Sequence, residues 1–212
     1  MKKIINVIFS VIFSVLIIST IIKFTVGFKQ LYYFDIEYLN IPVLSGLSKE
    51  DIKKNYDYMI DYNLDKDNKE FELPSIKSSE NGKIHFEEVR NIFQILNKIF
   101  NISLVLSIIG LVINILNKNI EFFKTTSKAL IVIPLILMLP IVVNFEGSFV
   151  LFHKIMFNND YWIFDPNLDP VINILPDVFF FHMGLLILIL IILSSILCNL
   201  LYKLSIKKRE LY

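Results

Sequence analysis

The feature that most restricts the fold of this 212-residue chain is a set of long apolar runs with few charges. Four of them are long enough to cross a bilayer, which takes about 20 residues of helix. They cover about residues 4–28, 92–116, 129–145 and 178–202. Lipid offers the backbone no hydrogen-bond partner, so such runs form helices. The sequence therefore predicts an all-α membrane protein, a four-transmembrane-helix bundle forming a single membrane domain over residues 1–212.

Basic residues are placed unevenly around these runs. They cluster at both termini and in the connection between the second and third runs, at Lys2, Lys3, Lys118, Lys124, Lys128, Lys203, Lys207, Lys208 and Arg209. The positive-inside rule makes that side cytoplasmic, so both termini are expected inside a cell membrane. Residues 29–91 and 146–177 are then outer regions. The net charge of +1 indicates no particular partner, and no nucleic acid is expected.

The first outer region, residues 29–91, has structure of its own. Ser48 resembles a helix N-cap, and apolar residues at helical spacing predict a short amphipathic helix over residues 48–62. The Asn81-Gly82 pair is typical of a turn, which predicts a short β-hairpin formed by residues 71–73 and 83–84. From His85 onward the pattern is helical and continues through the second run.

The second outer region, residues 146–177, joins the third and fourth runs. Gly147-Ser148 is expected to end the third run. Residues 149–157 then place aromatic and apolar side chains at helical spacing, which predicts a short helix lying flat in the membrane interface. Asp177 is expected to N-cap the fourth run.

Two histidines in these outer regions are the main candidates for catalysis. His85 opens the helix of the second run, and His153 lies on the flat helix, so both are expected at one membrane face. Imidazole is the usual general acid or base near neutral pH. The alternative for each is a capping or anchoring role at the surface. Their convergence on one leaflet favours chemistry, with the active site on the outer face.

Five further residues are candidates for supporting roles. Glu146 would orient a histidine as a carboxylate does in a catalytic triad, or would lie at headgroup level as a surface acid. Asp160 or Asp165 would hold an imidazole ring by a hydrogen bond, or would shape turns beside proline, while Trp162 anchors the interface. Lys23 would stand near a developing oxyanion or a lipid phosphate, or would reach out of the membrane to the interface.

Several classes of site lack their usual signature. The chain has three histidines and one cysteine, Cys198, and no H-E-x-x-H or similar ligand spacing, so neither a metal nor a cofactor is expected. There is no G-x-S-x-G motif of a serine hydrolase and no phosphate-binding loop. His182, about one turn inside the fourth run, receives no role.

A series of short motifs, in this order and placement, resembles the lipoprotein intramolecular transacylase (Lit) family of small four-span bacterial membrane proteins. These motifs are Ile84-His85-Phe86-Glu87-Glu88-Val89-Arg90, Phe152-His153, Asn159-Asp160-x-Trp162, Asp165-Pro166 and Leu175-Pro176. The resemblance implies transfer of the sn-2 acyl chain of a diacylglyceryl lipoprotein to the α-amine of its N-terminal cysteine, which gives the lyso-form lipoprotein. It also implies that His85 and His153 are essential, and that the partners are the lipoprotein and membrane lipid.

The chemistry leaves two assignments open. His85 would act as base toward the amine while His153 protonates the glycerol oxygen or stabilises the oxyanion, or the two roles would be reversed. A different class of function is a non-catalytic membrane protein that binds a partner or acts as a sensor. Another lipid-ester acyltransferase or lipase is the nearest enzymatic alternative.

Overall fold

The computed structural model describes residues 2–65 and 70–210, with side chains for all of these except residues 2, 137–142 and 209–210. This part of the chain contains α-helices, one 3-10 helix and no β-strand. In chain order the helices are α1 (Lys2–Gly27), α2 (Lys29–Tyr38), α3 (Ile41–Ser45), α4 (Lys49–Leu64), α5 (Glu80–Leu116), α6 (Glu121–Val143), α7 (Phe145–Met156), the 3-10 helix (Pro170–Asn173) and α8 (Asp177–Glu210).

Three of the described helices, α1, α5 and α8, are long and apolar enough to cross a membrane. They correspond to the first, second and fourth apolar runs of the sequence. The third run, residues 129–145, falls largely in α6 and includes residues 137–142, whose side chains lie outside the described part. The count of four spans therefore stays a prediction.

The amphipathic helix predicted at residues 48–62 is confirmed as α4. Ser48 caps it, since its side chain accepts a hydrogen bond from the backbone N–H of Asp51 at 3.1 Å. Ile52, Tyr56 and Met59 recur at helical spacing and are buried. The local pattern was sufficient here because both the cap and the apolar face lie within one short segment.

The predicted β-hairpin is wrong. Lys83 and Ile84 lie inside α5, and residues 71–73 form no strand. Ser79 caps α5 by accepting a hydrogen bond from the backbone N–H of Gly82 at 3.0 Å. The Asn81-Gly82 pair resembles a turn locally. The helix nevertheless starts before this pair, because Ser79 caps it there and is itself hydrogen-bonded to Asp169, far along the chain.

The boundary between α6 and α7 also differs from the expectation. Gly147-Ser148 does not end the third run, because α6 ends at Val143. The side chain of Asn144 accepts a hydrogen bond from the backbone N–H of Gly147 at 3.0 Å and so caps α7. Asp177, expected as a cap, is instead the first helical residue of α8.

The chain divides into two compact units. The first unit comprises Met1–Phe24, Leu96–Val143 and Leu185–Tyr212. Its buried apolar cluster includes Ile21, Leu130, Ile191 and Cys198. Many other apolar side chains on its helices remain exposed, which suits a surface that faces lipid.

The second unit comprises Thr25–Ile95 and Asn144–Gly184. Tyr32 of α2 is fully buried at its centre, stacked on Tyr56 of α4 with ring centroids 3.7 Å apart. The Tyr32 hydroxyl donates a hydrogen bond to the carbonyl of Ile174, and the ring of Phe179 meets it edge-on. This aromatic core joins α2 and α4 to the end of the loop between α7 and α8. That loop also carries residues that surround the two histidines. The aromatic core therefore helps to hold these loop residues in place.

Candidate active site

His85 and His153 come together within the second unit. His85 lies in the second turn of α5, and His153 lies in the last turn of α7. Their ring centroids are 6.0 Å apart. Two imidazoles this close together can act on neighbouring atoms of one bound substrate. The structure therefore brings together the two residues that the sequence singled out.

His85 is enclosed by aromatic rings. The residue is 5% exposed, and the rings of Phe157, Phe164 and Phe86 lie 4.8, 5.5 and 5.8 Å from its centroid. Its Nδ1 atom is buried and has no hydrogen-bond partner among the described residues. A buried polar atom without a partner is costly, so it is available to a group that enters the site.

His153 is held in one tautomer by its own helix. Its Nδ1 lies 2.7 Å from the carbonyl oxygen of Phe149, one turn earlier. A carbonyl oxygen only accepts, so Nδ1 carries the hydrogen that it donates, and Nε2 of the neutral ring keeps its lone pair. Burial lowers the pKa of His153 from its ordinary value, although the hydrogen bond to Phe149 acts in the opposite direction. The geometry thus presents a neutral imidazole with Nε2 ready to accept a proton.

Trp162 covers the ring of His153, and a short network fixes its position. The two ring centroids are 4.8 Å apart. The indole Nε1–H donates to the carbonyl oxygen of Asn159 at 3.1 Å. The Asn159 side chain in turn donates through Nδ2 to Glu88 Oε1 on α5, at 2.8 Å. The loop after α7 is therefore tied to the same helix that carries His85.

A second tie to α5 comes from Asp169, a residue that the sequence analysis does not single out. Asp169 is 4% exposed, and its carboxylate accepts from the backbone N–H of Ser79 at 2.7 Å and from the Ser79 hydroxyl at 2.6 Å. A Cβ added at Gly82 would stand 2.3 Å from Asp169 Oδ1, so a larger residue there would displace this carboxylate. The sequence gives no clear signal that Asp169 holds the start of α5. An aspartate in a loop ordinarily shapes a turn, as Asp165 does here.

The other predicted supporting residues lie elsewhere. Glu146 is exposed in the first turn of α7, seven residues before His153, which is about 10 Å along a helix axis. Asp160 is exposed, and its backbone carbonyl accepts a hydrogen bond from the N–H of Ile163. Asp165 is also exposed and accepts from the backbone and side chain of Asn167, which shapes the turn before Asp169.

Lys23 and His182 make contacts of other kinds. Lys23 belongs to the first unit, where its ammonium lies 4.2 Å from the ring centroid of Phe100. His182 Nδ1 lies 2.9 Å from Oδ1 of Asp35, a fully buried carboxylate on α2. This pair joins α2 to the start of α8. Its position indicates a structural role for His182, to which the sequence assigned none.

The arrangement suits acid–base chemistry. One imidazole offers a lone pair, a second lies opposite it, and aromatic rings limit the access of water, which strengthens hydrogen bonds within the site. No group of three or more His, Cys, Asp or Glu side chains placed to hold a metal ion occurs among the described residues. The chemistry that these two histidines offer is movement of a proton between the groups of a bound substrate.

Comparisons with known proteins identify the family. The model of the lipoprotein intramolecular transacylase Lit matches residues 7–180. The solved structure of the membrane integral lipoprotein intramolecular transacylase Lit from Bacillus cereus is 40% identical with a TM-score of 0.95, covering 100% of this chain and 99% of that one. Structures of the same protein with the H85R and H85A mutations match at TM-scores of 0.91 and 0.92, again at 40% identity. They cover 100% of this chain and 94% and 96% of theirs. A search of curated proteins gives no match.

The family model spans most of the chain, and the structural match extends over its whole length. A non-catalytic partner-binding or sensor protein does not fit these matches. The chain belongs to the lipoprotein intramolecular transacylase (Lit) family and is a membrane-bound acyltransferase.

Proposed function

We propose that this protein moves the sn-2 acyl chain of a diacylglyceryl lipoprotein onto the α-amine of its N-terminal cysteine, giving the lyso-form. The observation that carries the proposal is the pairing of His85 with His153, whose Nδ1 is already engaged. Donor ester and acceptor amine belong to one molecule, so positioning supplies much of the acceleration. The ester itself provides the acyl group, and the reaction requires no cofactor or metal.

The reaction is an isomerisation with balanced proton transfers. The amine nitrogen attacks the ester carbonyl carbon and forms the C–N bond of a tetrahedral intermediate. One amine proton passes to Nε2 of His153. As the bond between that carbon and the sn-2 oxygen breaks, the same proton passes from His153 to the leaving oxygen. His153 thus serves first as base and then as acid.

The hydrogen bond from His153 to Phe149 favours this assignment over the one in which His85 is the base. His85 is the better candidate for stabilising the tetrahedral oxyanion, because it lies opposite His153 and its Nδ1 has no protein partner among the described residues. A donor aimed at an oxyanion in such a site contributes on the order of 100- to 1,000-fold to the rate.

The proposed reaction takes place at the outer membrane face, with both termini in the cytoplasm and α6 as the fourth span. The exposed apolar side chains of α7, Leu151, Phe152 and Ile155, support its placement in the membrane interface. The basic residues at the termini and between α5 and α6 support the orientation.

The test is mass spectrometry of the N-terminal lipopeptide of a diacyl lipoprotein co-expressed with this protein. The transfer leaves the mass unchanged, so fragment ions must locate each acyl chain on glycerol or on nitrogen. Wild type is compared with His153→Ala, His85→Ala and an empty vector. Lys154→Ala is the matched control, because this exposed neighbour lies on the same helical turn.

We expect an N-acylated, monoacylglyceryl lipopeptide with wild type and Lys154→Ala, and the unchanged diacyl form with both histidine variants. Lyso product from both histidine variants would refute the proposed site. Release of free fatty acid from phospholipid without lipoprotein would favour a lipase instead.

A further inference from the structure

Glu88 lies on the face of α5 that carries His85. Residues three apart on a helix are neighbours, with Cβ atoms about 5–6 Å apart. Glu88 Oε1 accepts the hydrogen bond from Asn159, but Oε2 is buried without a partner among the described residues. Nδ1 of His85 is likewise buried and has no hydrogen-bond partner among the described residues. One helix face therefore carries two buried polar atoms that the described part of the chain does not satisfy.

Glu88 is also connected to the His153 side of the site. Asn159, its hydrogen-bond partner, accepts through its carbonyl from the indole of Trp162, and Trp162 packs on His153. The free carboxylate oxygen thus belongs to the group of side chains that includes both histidines. The role described so far for Glu88, the tie to Asn159, uses only one of its two oxygens.

We propose that Glu88 is the specificity-determining residue that binds the positively charged α-amine of the lipoprotein's N-terminal cysteine. This inference rests on the proposed function, which supplies such an amine at this site. A free α-amine has a pKa of about 7.7–8.0, so it arrives mostly as an ammonium group at neutral pH. A carboxylate whose second oxygen is buried and without a protein partner among the described residues binds ammonium through a charge-assisted hydrogen bond. It holds the nitrogen beside His153. The ammonium releases one proton to solvent to become the attacking amine, and His153 takes a second proton during the reaction.

The competing explanation is that Glu88 acts only through Asn159 and has no contact with substrate. The two explanations differ in whether the protein distinguishes a ligand with a free amine from one with an acetylated amine. An ammonium site prefers a free amine to an acetylated one, which has no charge. A purely structural Glu88 affects both ligands alike. Discrimination between two ligands therefore tests the proposal, and loss of activity by itself does not.

The experiment measures binding in a His153→Ala background, where the proposed reaction is blocked. The probes are a diacylglyceryl-cysteinyl peptide with a free N-terminus and the same peptide N-acetylated, in detergent micelles. Fluorescence of Trp162, the chain's one tryptophan, reports occupancy. Glu88→Gln keeps the oxygen that accepts from Asn159 and removes the charge. Glu87→Gln is the control, since it makes the same charge change at an exposed neighbouring position.

We expect the free-amine peptide to bind about tenfold more tightly than the acetylated one, and Glu88→Gln to abolish this difference. Glu87→Gln should retain it. In the His153→Ala protein that retains Glu88, the preference for the free-amine peptide should decrease above pH 8, because the amine loses its charge. A preference that survives Glu88→Gln, or an equal loss of affinity for both peptides, would overturn the proposal.

A second arm separates the lipoprotein from a membrane lipid that also carries an amine. Phosphatidylethanolamine should displace the free-amine peptide no better than phosphatidylcholine. Displacement by phosphatidylethanolamine alone, and only where Glu88 is present, would assign the site to lipid and overturn the proposal. All these readouts are equilibrium affinities, so they give the same answer whether or not acyl transfer is detected in the mass-spectrometric test.

Discussion

Replacing Asp169 by alanine should loosen the start of α5, the helix that carries His85. Asp169 is 4% exposed and accepts two hydrogen bonds from Ser79, at 2.7 and 2.6 Å. Each hydrogen bond to a charged group contributes about 1.5–3 kcal/mol. Ser79 is partly exposed, so water replaces some of the loss, and the lower value applies to each bond. The expected decrease in the free energy of unfolding of the second unit is about 3 kcal/mol.

Asp165→Ala is the matched control for this prediction. Asp165 lies in the same loop, but it is exposed, and among the described residues its side chain accepts only from Asn167. Its backbone carbonyl, which accepts from the N–H of Asp169 at 2.7 Å, is unchanged by the substitution. A surface change of this kind costs about 0.5 kcal/mol or less.

The assay is denaturant unfolding in detergent, followed by the fluorescence of Trp162 in the second unit. Labelling of Cys198, which is buried in the first unit, follows the other part of the chain. Asp169→Ala should shift the Trp162 transition to lower denaturant and should reduce acyl transfer. Equal shifts for Asp169→Ala and Asp165→Ala would refute the reasoning, because burial and the two bonds to Ser79 would then have no special weight.

Three further predictions follow from the same geometry. Burial places the pKa of His153 below its ordinary 6.5, so an NMR titration of its ring, identified by the signal missing in His153→Ala, should have its midpoint below pH 6.5; a midpoint at or above pH 6.5 would contradict this. Gly82→Ala puts a Cβ 2.3 Å from Asp169 Oδ1, so it should destabilise the second unit, and adding Asp169→Ala should cost little more; full additivity in unfolding experiments would argue against a shared cap. A reporter fused after Lys208 should be cytoplasmic, like one at the N-terminus; opposite locations would mean an odd number of spans.

Local properties of the chain were enough to predict much of the fold. The first, second and fourth apolar runs correspond to α1, α5 and α8, and the cap and apolar face of α4 lie within one segment. The sequence also singles out both histidines as catalytic candidates, because both lie in segments expected at the same membrane face. The prediction of a β-hairpin was wrong because the start of α5 depends on a contact between Ser79 and Asp169. Asp169 lies 90 residues after Ser79 in the chain.

The sequence by itself determined which segments are apolar enough for a membrane and which side chains offer chemistry, because these are properties of composition and spacing. Only the tertiary structure decided which atoms are engaged. Nδ1 of His153 donates a hydrogen bond to the carbonyl of Phe149. One oxygen of Glu88 accepts a hydrogen bond from Asn159, 71 positions away. The bond from His153 to Phe149 lies within one turn of α7, but the division of roles also depends on His85, which a different helix brings beside His153. The inferred role of Glu88 depends on its bond to the distant Asn159. No local pattern in the chain specifies these contacts between distant segments.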